Sequence, residues 1–149
     1  MRLLLDTHVF LWVVAGSPRL KPAARRLIED AEAVYVSAAS IWEIAIKVRL
    51  GKLQADPDEL ADAIERSGFI ELPVRATHGA AVAKLAPHHN DPFDRLLVAQ
   101  ALACSPVAEK RGRTGRTSDT FLGRHSLQKR LSFRSRQQAV FRGLAPRPD

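Results

Sequence analysis

A chain of 149 residues, 46% of them hydrophobic, is long enough for one domain with a buried core, and it contains no run of about 18 apolar residues to span a membrane. Cys104 is the only cysteine, which excludes an intrachain disulfide scaffold and points to a reducing, cytoplasmic setting. The formal net charge of +7 suggests nucleic acid until it is divided: residues 1–103 hold 12 Lys and Arg against 13 Asp and Glu, whereas residues 104–149 hold 11 against 3. The basicity belongs to one segment and defines no basic face on the domain.

In chain order, "RLLLD" reads as a short buried-type strand ending in Asp6. The apolar start "MRLLLDTHVFLWVVAG" is interrupted by Asp6 and His8 and has no basic leader, so strand then helix is the better reading than a signal peptide. A helix is expected from about His8 to Val14, with a break at Gly16 to Pro18. In the next helix Leu20, Ala23, Ala24, Leu27 and Ile28 take the spacing of one face. "AVYVS" is a second strand closed by Ser37, and "AASIWEIAIKVRL" a helix with Ile41, Ile44, Ala45 and Val48 on one stripe and Gly51 as its C′ residue. A helix from about Pro57 to Arg66 ends near Gly68, "FIELPV" is a third strand, and "THGAAVAKLA" is another helix. Strands separated by helices predict an α/β fold with a parallel sheet covered on both faces.

The stretch "HHNDPFDRLLVAQALA", residues 88–103, sets Asp91 and Asp94 three positions apart at the mouth of a helix. By itself this is a helix start, with Asp91 as N-cap, Pro92 at N1 and Asp94 at N3 facing the positive end of the dipole. Asp6 either caps the first helix, a duty Thr7 would fill equally well, or serves a site at the carboxyl end of its strand. Ser40 and Glu43 match a capping box, and Glu43 stands four residues before Lys47. His88 and His89 make a weak metal pair, since loop neighbours seldom converge on one ion without further ligands. Capping does not explain a shared location. Ligands of parallel sheets collect at the carboxyl ends of the strands, where Asp6, Glu43 and Asp94 would meet from three separate segments. Their repulsion then calls for a retained proton or a cation, most economically Mg²⁺ or Mn²⁺, whose chemistry with phosphate is phosphodiester hydrolysis.

"LLLDTHVFLW", "VSAASIWEIAIKVRLGKL", "ELPV" and "DPFDRLLVAQA", in this order and at these separations, resemble a PIN-domain protein of the VapC-like toxin group over about residues 1–103. The resemblance implies an α/β/α sandwich around a parallel sheet, Mg²⁺-dependent endoribonuclease activity on RNA, a cognate antitoxin as partner, and for many members a homodimer. It makes Asp6, Glu43 and Asp94 the metal-binding acids and Asp91 an auxiliary acid, with Thr7 and Ser40 as neighbours of the site. Arg95 reads first as a solvated helix charge, and second as a contact for phosphate or antitoxin.

After "LLVAQALA" a relative would continue through an apolar strand, a Thr-x-Asp-like turn supplying a fourth acid, and a last helix and strand. Here residues 104–149 are rich in Arg, Ser and Gly, without sustained period, and Asp119 has no apolar strand leading into it. The sheet is therefore expected to lack its last strands, leaving "RLLL" as an exposed edge. Two readings fit the tail: a basic arm for nucleic acid, or a segment read out of frame after about Ala103. The abrupt stop of the pattern at an element boundary favours the second, and the DNA sequence of the locus decides it. An alternative function follows, a catalytically impaired remnant that binds antitoxin, or RNA through the tail. Tail-mediated RNA affinity is expected to fall steeply with added salt and to survive loss of the acids, which filter binding across a salt series measures.

Overall fold

The computed structural model describes residues 1–86 and 91–103. His88, His89, Asp119 and the readings of the tail and its strands lie outside the described residues. The elements are β1 (Arg2–Leu5), α1 (Thr7–Val14), α2 (Pro22–Asp30), β2 (Ala33–Ser37), α3 (Ala38–Arg49), α4 (Pro57–Arg66), β3 (Ile70–Leu72), α5 (Ala76–Val82) and α6 (Pro92–Ala103). All three strands run parallel in the order β1-β2-β3, with Leu5 opposite Val36 and Ser37 opposite Leu72. Among the described residues β1 is paired on one side only.

The central strand is the most buried. Val34 and Val36 of β2 are buried, and they join Leu5 of β1, Phe10 and Val13 of α1, Ile44 of α3 and Leu60 and Ile64 of α4 in one core. Phe10, Val36 and Ile44 are fully enclosed. Burial of such side chains is the main favourable term holding helices against a sheet. On α1 the buried positions are Thr7, Phe10, Val13 and Val14, one helix face.

Helix ends follow local chemistry. Asp6 rather than Thr7 caps α1, so the helix starts one residue before the expected His8. Gly51 has φ +68°, and the Lys52 and Gly51 amides donate to the Lys47 and Val48 carbonyls, a Schellman closure of α3 that a residue with a Cβ enters only with strain. Asp56 accepts from the amides of Asp58 and Glu59 and starts α4. Asp56→Ala is expected to cost about 1 kcal/mol in urea denaturation, the usual worth of a cap.

One helix face was expected wrongly. Leu27 is 55% exposed and Ala23 is exposed, whereas Leu20 and Ile28 are buried. Lys21 is the N-cap of α2 and Pro22 its first residue, so Leu20 lies outside the helix and cannot set its phase.

Candidate active site

The parallel register brings the chain out of β1 at Asp6 beside the exit from β2 at Ser37, since Leu5 pairs with Val36. β3 ends alongside at Leu72, opposite Ser37. Each exit leads into a helix or loop. Asp6 has extended backbone and its Oδ1 accepts from the His8 amide at 2.8 Å; the His8 imidazole Nδ1 lies 3.4 Å from the same oxygen. Ser37 caps α3, accepting from the Ala39 amide at 3.1 Å.

The residue that ties α6 to this edge is Gln100. It is completely buried, its Oε1 accepts from the Ser37 hydroxyl at 2.6 Å, and its Nε2 donates to the Pro73 carbonyl at 3.3 Å. One side chain of α6 thus bridges the carboxyl ends of β2 and β3. At the start of α6, Phe93 meets Trp42 of α3 edge-on, with ring centroids 5.1 Å apart. Glu43 follows Trp42 and Asp94 follows Phe93, so the two acids sit on adjoining turns of packed helices. α1, which Asp6 caps, packs on α3 as well. The segments bearing Asp6, Glu43 and Asp94 therefore converge on one edge of the sheet.

Each acid has a local partner. Glu43 is buried, with 8% of its side chain exposed, and its Oε1 is 2.5 Å from Lys47 Nζ. The expected capping box is absent: Ser37 is the N-cap, which puts Ser40 inside the helix and leaves Glu43 with no capping duty. The ion pair with Lys47 does form, as the spacing suggests. Asp91 accepts from the amides of Phe93 and Asp94 and so starts α6 as an N-cap. Asp94, third in the helix, is exposed.

Arg95 is not a solvated charge. Its guanidinium donates to the carbonyls of Val82, Leu85 and Ala86, at the end of α5 and just beyond it. Thr7 and Ser40, expected beside the site, are 1% exposed, and both hydroxyl oxygens lack a hydrogen-bond partner. Buried polar groups are nearly always paired, so two orphans on segments that carry Asp6 and Glu43 mark a place for a further polar partner. The donor set, carboxylates and hydroxyls with no sulfur, fits a hard divalent cation. Among the described residues no three His, Cys, Asp or Glu side chains already stand close enough together to hold a metal ion. A cation at this edge would have to draw the carboxylates away from their present amide and ammonium partners.

The PIN-domain family model matches residues 3–104, a stretch that takes in all of these elements save the first residue of β1. This chain is a PIN-domain protein. The PIN-domain chain is 37% identical over 105 residues to Ribonuclease VapC22 of Mycobacterium tuberculosis, an alignment that covers 66% of this chain and 78% of the relative. It is thus a VapC-like member of the family, with the expected parallel α/β architecture. No solved structure matches it.

Sequence reasoning missed Gln100, Ser37 as its partner, and the buried His78, whose Nδ1 accepts from the Arg75 amide at 3.1 Å. Gln100 alone left a trace, as a polar residue three positions after buried Leu97 on the inner face of α6.

Proposed function

We propose that this PIN-domain protein is a divalent-metal-dependent endoribonuclease and the toxin of a toxin–antitoxin pair, acting in the cytoplasm. The observation that supports the reading is the approach of the three segments that bear Asp6, Glu43 and Asp94 at the carboxyl edge of a parallel sheet, in a chain related to a protein named a ribonuclease. Asp6, Glu43 and Asp94 would hold Mg²⁺ or Mn²⁺, with Asp91 at the margin. When bound, such an ion polarises a phosphoryl oxygen and lowers the pKa of a water. The chain's own part is to position the acids. β1 and β2 fix Asp6 and the start of α3, and Gln100 ties α6, the helix that carries Asp94, to the same edge. Among the described residues no helix is long and apolar enough to cross a membrane.

Residues 1–103 suffice for this reading; residues 104–149 are assigned no part in the site, and an out-of-frame origin for them remains our proposal. A homodimer and a cognate antitoxin belong to the same proposal. The test is cleavage of single-stranded RNA by the full purified chain with Mg²⁺, with chelator, and with the Asp94→Asn variant. Cleavage that persists in chelator, or that the variant retains in full, sinks the assignment.

A further inference from the structure

We propose that the Lys47 ammonium occupies, in the metal-free protein, the place beside Glu43 that a divalent cation would take, so that Lys47 is a built-in competitor setting how tightly the site binds metal. The inference rests on the metal-dependent reading above and assigns a role to a residue which that reading leaves out.

Two observations carry it. Glu43 is the most buried of the three acids, and Lys47 Nζ lies 2.5 Å from its Oε1 with 32% of the lysine side chain exposed. A carboxylate enclosed to that degree is stable only with a compensating charge, and the lysine one helical turn later supplies it. Second, two hydroxyls on segments that carry the acids are buried without partners: Ser40 Oγ, one turn before Glu43 on α3, and Thr7 Oγ1, next to Asp6 in the chain. The ammonium neutralises Glu43 and does nothing for these oxygens.

An ammonium and a dication repel, and both need the same carboxylate oxygen. Metal entry therefore displaces Nζ. The four-carbon stem and partial exposure of Lys47 let its head swing to solvent without moving the helix. Two consequences follow by linkage. The ion pair stabilises the metal-free fold, and its loss on loading subtracts from metal affinity.

The experiment uses the full chain stripped of metal, with Mn²⁺ as probe, for wild type, Lys47→Met, Lys47→Gln and Lys47→Arg. Calorimetric titration gives the affinity, and melting in chelator and in saturating Mn²⁺ gives the stability. Lys47→Met is expected to bind Mn²⁺ about tenfold more tightly, the scale of an ordinary coupling between ligands. It should also melt earlier than wild type in chelator, with the gap narrowing when Mn²⁺ is saturating. Lys47→Gln, which keeps a polar end, stands in if the methionine variant does not fold. Lys47→Arg keeps the charge and should keep the wild-type affinity. The inference is overturned if wild type binds Mn²⁺ and both uncharged variants bind it equally or more weakly. Should wild type and Asp94→Asn bind Mn²⁺ alike, the metal is not at this site, and the underlying reading falls together with the inference.

Discussion

Asparagine in place of Asp94 is expected to slow Mg²⁺-dependent RNA cleavage by about two orders of magnitude or more while hardly changing the melting temperature. The substitution keeps the shape of the side chain and removes its charge. Asp94 is exposed in the first turn of α6, where a carboxylate gains only about 0.3–1 kcal/mol from the helix dipole. Stability and activity are therefore separable at this position. Initial rates on a labelled single-stranded RNA, read beside thermal melts, make the comparison. The companion change Asp91→Asn separates capping from catalysis, because asparagine caps about as well as aspartate. An unchanged rate in Asp91→Asn would confine that residue to starting α6.

Gln100→Ala is expected to destabilise the fold by about 2–4 kcal/mol. It leaves the Ser37 hydroxyl without its acceptor and the Pro73 carbonyl without its donor, both at the carboxyl ends of strands, and opens a void where no solvent reaches. Gln100→Leu fills much of that volume and orphans the same two groups, so the difference between the variants separates cavity from hydrogen-bond loss. Urea denaturation of both gives the free energies. A loss below about 0.5 kcal/mol in Gln100→Ala, the level of a surface change, would contradict the bridging role.

The parts of this fold that were legible in the sequence are those decided by neighbours in the chain. "AVYVS" is a strand because four of its five residues are buried on both sides of a parallel sheet, and such strands lose alternation. Gly51, Gly68 and the Asp56-Pro57 pair mark helix ends through backbone geometry that needs no tertiary partner. Asp6 falls at the carboxyl end of β1 by the same logic, since a residue closing a parallel strand has only one end of the sheet to occupy. What failed depended on partners far along the chain. Gln100 reads as a surface residue until Ser37, 63 positions earlier, is set against it. Arg95 reads as a solvated charge because its carbonyl partners precede it by 10 to 13 residues for Leu85 and Val82. The face proposed through Leu20 and Leu27 failed for a local reason: a proline start shifted the helix and broke the phase.

The grip of Arg95 on the end of α5 bears on how the protein can change. α6 is tied near its beginning to the last turn of α5 and the residues just beyond it through that guanidinium, and at its middle to the exits of β2 and β3 through Gln100. Two anchors on different elements fix a rod in direction as well as in place. Loosening either contact alone is therefore expected to let α6 pivot about the other rather than detach.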